Sequence, residues 1–368
     1  MGPRVLVLNA GSSSLKWSIV EAGAGATLAS GNERWPPGAE PALDLEPVLE
    51  RGPGAVAHRV VHGGARFRGA VRLDDEVVAG LEALRPLNPL HAERSLATIA
   101  LGREALPSLP HVACFDTAFH ATLPEPAAAY GLPRGLAERH GLRRYGFHGL
   151  SVAHATGRVA ELSGAAPARL VVCHLGSGCS VTAVRAGRSV DTTMGFSPLE
   201  GLVMATRAGS VDPGALLFLL REGGLGPEGL ERALEREGGL LGLSGVSADL
   251  REVVRAADAG DARARLAYDV FVHAARRGVG QMLAALGGVD ALAFTGGIGE
   301  HQARVRRDVV EPFAFAGLAL DPARNDAARP DAEVGAPGAA ARCFVVEARE
   351  DLVMAREAAA LLAAPAAG

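Results

Sequence analysis

Val5-Leu6-Val7-Leu8-Asn9-Ala10-Gly11-Ser12-Ser13-Ser14-Leu15-Lys16 runs from an apolar strand through small residues into a second strand. The outline recurs in the second half of the chain as Val171-Val172-Cys173-His174-Leu175-Gly176-Ser177-Gly178-Cys179-Ser180-Val181. Gly and Ser carry little bulk, so such a turn lets backbone N–H groups approach a phosphate closely. One turn alone is an ordinary tight turn. Two, one per half, point to a duplicated fold that grips a polyphosphate from both sides.

The 368 residues suit about two domains. With 48% apolar and 21% charged residues the chain can build large cores, and disorder is not expected. A net charge of −4 gives no reason to expect a nucleic-acid partner. The basic residues are nearly all arginine. Val5 to Leu8 is too short for a signal segment or a membrane span, so no membrane association and a cytoplasmic location are expected. Cys114, Cys173, Cys179 and Cys343 form no CxxC pair, and three lie in apolar runs. They read as reduced core thiols.

Periodicity predicts strands around the first turn, at Ala55–His62, at His111–Phe115 and on both sides of the second turn, then at Arg188–Thr192, Ala291–Phe294 and Cys343–Val346. Helices are expected over Leu73–Leu84, Ala92–Leu101, Val152–Leu162, Leu216–Arg221, Gly229–Glu237, Ala262–Leu286 and Leu352–Leu362. Residues 27–57 read as a loose Pro/Gly-rich connection. Strands alternating with helices in both halves make the class α/β with mixed sheets. GxxxxGK[ST] is absent, and Gly297-Ile298-Gly299-Glu300 is not GxGxxG, with no acidic residue after it at the spacing a dinucleotide site needs. A third small-residue turn, Gly296–Gly299, follows a strand. Two phosphate turns and a later glycine turn for the nucleoside are the layout of the actin-like ATPase fold.

Arg59 and Arg207 stand among valines and glycines, and a buried guanidinium needs an anionic partner. Its fork fits carboxylate or phosphate, although a solvated surface arginine is the ordinary alternative. Asp116 follows an apolar strand; it faces a ligand crevice or caps the Thr117–His120 segment. Glu350 is open between metal binding and N-capping. His148 lies in an aromatic and glycine loop, where a lone histidine is often structural.

Together these segments resemble the acetate kinase family, the acetate and propionate kinases of the actin/hexokinase-like superfamily. The resemblance runs through Asn9–Lys16, His58–Gly64, Pro89–His91, Phe115–His120, Arg144–Gly149, Met194–Gly201, Thr206–Pro213, Ser244–Asp249 and Phe294–Glu300. It implies a duplicated actin-like (ribonuclease H-like) fold of two domains with a nucleotide cleft between them. Residues 1–118, completed by the helix at 352–368, would bind acetate, and residues 119–351 the nucleotide. It implies reversible transfer of the γ-phosphoryl group of ATP to acetate, giving ADP and acetyl phosphate, with Mg²⁺ (or Mn²⁺) and a homodimer.

Roles follow at matching positions. Asp116, Arg59, Arg207 and His148 would be catalytic, with His148 and Arg207 stabilising the transition state. Arg59, Val61, Leu90, Phe147 and Pro198 would hold acetate. Asn9 and Glu350 would help bind the metal. Ser12, Ser14, Lys16, His174, Leu175, Gly176, Ser177, Gly178, Asp249, Leu250, Arg251, Gly297, Ile298, Gly299 and His301 would surround the nucleotide. Ser177, Val152, Ala92-Glu93, His301 and Ala65 depart from the family's commonest residues, and the chain is shorter than usual between Gly31 and Ala57. Pyrophosphate as donor and a non-catalytic nucleotide switch are the competing readings.

Overall fold

A computed structural model of the protein describes residues 2–11, 14–36, 38–44 and 46–364; the Leu90 side chain lies outside what is described. The first sheet contains β1 (Arg4–Ala10), β2 (Ser14–Glu21), β3 (Thr27–Arg34), β4 (Ala55–Val60), β5 (Val71–Arg72) and β6 (His111–Phe115) in the order β3-β2-β1-β4-β6-β5. The second contains β7 (Arg169–Leu175), β8 (Cys179–Arg185), β9 (Arg188–Thr192), β10 (Ala291–Thr295), β11 (Ala332–Glu333) and β12 (Arg342–Val345) in the order β9-β8-β7-β10-β12-β11. Each sheet is an antiparallel meander of its first three strands, the first of which is joined to two further parallel strands, with a short antiparallel strand on the far edge. The same order in the same sense twice over is a duplication, and the class is α/β.

The chain forms two compact units, residues 1–121 with 147–154 and 349–368, and residues 122–146 with 155–348. In the first unit Val5, Val7 and Val20 on one sheet face meet Leu352, Met354, Ala355 and Ala358 of the Glu350–Ala363 helix. Leu6, Leu8, Leu15, Trp17 and Ile19 fill the other face. This is the period of two expected of a sheet covered on both sides. In the second unit the Ala262–Leu286 helix supplies the longest covering element. Asp261 caps its start, accepting from the Arg263 and Ala264 N–H groups, and Gly287 in the left-handed region (φ 68°) ends it. Ala264, Ala267, Tyr268, Phe271, Ala275, Val279 and Met282 recur at helical spacing on its buried face.

Three sequence expectations need correction. Residues 27–57 are not one loose connection, because Thr27–Arg34 forms β3 and Glu46–Glu50 a short helix. Among the described residues strand β3 pairs with β2 alone, at the sheet edge, so half-exposed polar residues serve and the apolar alternation is weak. Gly296–Gly299 is not a free turn. It opens the Gly296–His301 helix directly after β10. Gly239–Ser244 and Leu250–Asp258, left without structure by periodicity, are helices; Asp249 caps the second through the Arg251 N–H. Among the described residues no helix is long and apolar enough to cross a membrane.

Candidate active site

In the first unit, parallel strands β1, β4 and β6 end side by side and deliver three polar residues. Asn9 is near the end of β1, Arg59 near the end of β4, and Asp116 directly follows β6. The carboxyl ends of parallel strands are where α/β sheets carry their ligands. Arg59 grips Asp116 with both arms of its fork, Nε to Oδ1 at 3.0 Å and Nη2 to Oδ2 at 2.6 Å. Its Nη1 donates to Asn9 Oδ1 at 3.1 Å and lies 3.9 Å from Glu350 Oε2. Asn9 Nδ2 also reaches Glu350 Oε2 at 3.4 Å. The anion facing Arg59 is therefore a carboxylate of its own chain, and the Asp116 side chain is 1% exposed while that of Arg59 is 18% exposed.

Burial opposes the Arg59 charge, but Asp116 and Glu350 outweigh it and raise its pKa. Burial pushes the Asp116 carboxyl upward and the Arg59 fork opposes that rise. The Asp116 backbone is fixed from both sides. Its N–H donates to Val60 O at 3.1 Å, and its O accepts from Gly149 N at 2.8 Å. A Cβ on Gly149 would sit 2.2 Å from that oxygen, which is why a glycine stands there. Asp116 thus gives its carboxylate to Arg59. Glu350 is the first residue of its helix, with Arg349 at the cap position, so N-capping is not its role.

His148 precedes the Gly149–Ser163 helix and has φ 59°, a left-handed backbone rare for a residue with a Cβ. Phe147 beside it is buried edge-on to the His62 ring, centroids 5.4 Å apart, and its carbonyl accepts from His120 Nε2 at 2.9 Å. Val61 is buried and lines a cleft with Val60, His62, Leu81, Leu84, Asn88, Ala92, Ser95 and Leu96. Ser12 lies outside the described residues, as does the Leu90 side chain. Gly11, at the first turn, is bridged by its N–H to Ser14 O at 2.8 Å. Lys16 on β2 is exposed. Arg94, which sequence reading did not single out, donates to Gly11 O at 2.9 Å and stacks on Trp35 at 4.4 Å. No local motif marks it, because its partners come from other elements.

In the second unit, β7 and β10 are parallel neighbours, with His174 opposite Thr295. Their two glycine segments therefore lie together. Gly176 N donates to Gly178 O at 3.0 Å. A Cβ on Gly296 (φ 77°) would stand 2.8 Å from Leu175 O, so this approach requires glycine. Ser177, Gly297 and His301 are exposed; His174, Gly176, Gly178 and Ile298 are half-buried; Gly299 is buried. Leu175 and Leu250 are core side chains, so only their backbones can face a ligand. Asp249 and Arg251 are paired with each other at 2.5 Å on the surface.

The Arg207 loop is tied to the same turn, since Ala205 N donates to Ser177 O at 3.1 Å. Arg207 Nη1 donates to Pro198 O at 3.1 Å. Burial pushes the Cys179 thiol up to about 12, with the nearby Arg207 charge opposing it. All four cysteines are buried and free. Missed by sequence reading, Arg306 is 2% exposed and donates to the Gly299 and Glu300 carbonyls at 2.9 and 2.8 Å, closing the Gly296–His301 helix from beneath.

Comparison with known proteins gives the arrangement its place. The Acetokinase family model matches residues 51–356. An acetate kinase of Synechococcus sp. (strain JA-2-3B'a(2-13)) is 48% identical over 304 residues, 82% of this chain and 75% of its own. One of Corynebacterium jeikeium (strain K411) is 41% identical over 396 residues, covering 96% of this chain and 97% of its own. The crystal structure of Porphyromonas gingivalis acetate kinase superposes with a TM-score of 0.89 at 34% identity, over 98% of this chain and 100% of that one. A propionate kinase structure from Francisella tularensis subsp. tularensis SCHU S4 gives 0.88 at 32% identity, over 96% and 98%. The chain belongs to the acetokinase family.

Proposed function

We propose that the protein is an acetate kinase, transferring the γ-phosphoryl group of ATP to the acetate carboxylate by direct in-line displacement. The observation that carries this reading is the Arg59 fork, seated on Asp116 at the ends of three parallel strands with Asn9 and Glu350 at its open edge. A carboxylate is already a nucleophile, so no strong base is needed. The barrier lies in bringing one anion onto another, and positioned positive charge is what lowers it.

Arg59 takes the acetate carboxylate, and Asp116 fixes the guanidinium plane that receives it. Val61 and Phe147 give the methyl group an apolar wall, with Leu90 and Pro198 assigned alongside. His148 donates to the phosphoryl oxygens, and Arg207 neutralises their charge. Backbone N–H groups of the Gly176–Gly178 and Gly296–Gly299 segments, with Ser12, Ser14, Lys16, His174, Asp249 and Arg251, hold the nucleotide. Residues 1–118 with 352–368 form the acetate-handling half, and 119–351 the nucleotide half. Asn9 and Glu350 offer hard oxygen donors of the kind that would suit Mg²⁺, while Asp116 is held by Arg59 behind them. Held there beside ATP, Mg²⁺ would supply charge neutralisation at the phosphates. The enzyme acts in the cytoplasm as a homodimer.

A hydroxamate assay with acetate, ATP and Mg²⁺ tests the reading. Acyl hydroxamate should accumulate with ATP, and not with pyrophosphate as donor. Product from pyrophosphate alone, or none from a folded sample, sinks it.

A further inference from the structure

Of the 37 Lys and Arg residues in the chain, only one, Lys16, is a lysine. Guanidinium groups stay protonated and do not accept acyl groups under ordinary conditions, whereas a lysine amine is a nucleophile. Apart from the chain's α-amino group, the protein therefore presents a single amine.

That amine has a defined place. Lys16 lies directly opposite Asn9 in the β1–β2 ladder, on the row that includes Val7 opposite Ser18 and Val5 opposite Val20. Opposed residues of an antiparallel pair project from the same face, with Cβ atoms about 5 Å apart. Val5, Val7 and Val20 of this row pack on the Glu350–Ala363 helix, and Asn9 bonds to Arg59 and Glu350. Lys16, exposed between buried Leu15 and Trp17, thus stands at the open end of the row, one residue across from the Arg59–Asp116–Asn9–Glu350 cluster.

We propose that Lys16 is a self-modification site, acetylated by the acyl phosphate this cluster handles; the inference rests on the acetate kinase reading above. Acetyl phosphate is a mixed anhydride with phosphate as its leaving group. The neutral Nζ attacks the acetyl carbonyl carbon and a C–N bond forms. The C–O bond to phosphorus breaks, with inorganic phosphate taking the electron pair and the surplus amine proton passing to solvent. Nothing is oxidised or reduced. The product amide has lost its charge and two of its three donors. Lys16 is one of the residues assigned to the nucleotide, so its acetylation weakens ATP use when acetyl phosphate accumulates.

The test is intact-mass analysis of the full chain after exposure to millimolar acetyl phosphate, with peptide mapping and the kinetics of the same samples. One adduct of about 42 Da should form at Lys16, faster than at the α-amino group. Saturating ATP with Mg²⁺, which does not consume acetyl phosphate, should slow it several-fold, and the KM for ATP should rise several-fold as it forms. Lys16→Arg should show no internal adduct. Modification at the α-amino group alone, equal rates at both amines, or an unchanged KM with Lys16 fully acetylated would each overturn the proposal. The unmodified sample is first assayed with acetate and ATP. Failure there defeats the functional reading, whereas activity without a Lys16 adduct defeats this inference alone.

Discussion

Removing the Arg59 guanidinium leaves the Asp116 carboxylate buried without its bidentate partner. Breaking a buried pair by deleting one member costs about 3–5 kcal/mol. Arg59→Ala should therefore lower the unfolding free energy by that order, measured in urea, and cut kcat/KM about a thousandfold. A variant as stable and active as the parent would contradict both roles. His148 permits a cleaner separation. Its left-handed backbone (φ 59°) strains any residue with a Cβ, so His148→Ala keeps the strain and loses the imidazole, while His148→Gly loses both. The glycine variant should be about 1 kcal/mol more stable than the alanine variant, with both losing activity about a hundredfold or more. Equal stability would argue against strain; retained activity would remove His148 from the phosphoryl group. The identity of these residues was visible in the sequence, through the family motifs. Their bonding was not: that Arg59 faces Asp116 depends on two strands far apart in the chain lying side by side.

The Pro89–Ala105 helix presents Ala92, Ser95 and Leu96 along one face, with Asn88 just before its start, toward Leu81, Leu84 and Val61. The cleft between them holds about one methyl- or water-sized group. Room behind Val61 lets its side chain yield to a longer acyl chain, so propionate should be a poorer substrate than acetate, not an excluded one. Ala92→Leu fills that room. The ratio of kcat/KM for propionate over acetate should fall about tenfold, the scale of one methylene, with acetate within about twofold of the parent. A parallel fall for both substrates would show that the cleft does not act on chain length. Ala92 lay within a helix expected from periodicity, but the cleft was not legible, because it forms only where two helices and a strand end converge. The same limit hid β3 and the Gly239–Ser244 helix, whose residues carry too little periodic apolar signal to announce themselves.

At the scale of the molecule, buried histidines weaken the fold as pH falls. His111 Nε2 lies 3.1 Å from Leu106 O and must donate to it; its Nδ1, 2.9 Å from His58 Nε2, then accepts. Both rings are held neutral, and His58 Nδ1 is left buried with no partner. Burial, then the neighbouring His111 and Arg103, lowers the His58 pKa from 6.5 to about 3, and burial lowers that of His120 to about 4. Between those values and 6.5 the unfolded chain binds protons that the folded chain does not. Their contribution is full above pH 6.5 and is lost as pH falls, by about 2 kcal/mol per histidine near pH 5. Urea unfolding near pH 7 and pH 5 should show that drop; a free energy unchanged or higher at pH 5 would refute it.

The Pro213–Arg221 helix exposes Leu217, Phe218 and Leu220 with no buried residue of its own, and is a candidate face for the proposed homodimer. Phe218→Asp should shift the mass in light scattering from dimer to monomer; an unchanged dimer would place the interface elsewhere. The duplicated sheet order was foreshadowed by the paired small-residue turns, whereas such surfaces leave no motif in a single chain.

The most direct test of the account is the steady-state comparison of the parent enzyme with Arg59→Lys, which keeps the charge and loses the fork. The parent should form acetyl phosphate from acetate and ATP. The variant should lose about a hundredfold or more in kcat/KM for acetate, with the KM for ATP within about threefold of the parent's. No acetyl phosphate from the parent, or a variant equal to it, would contradict the claim that this fork handles the carboxylate.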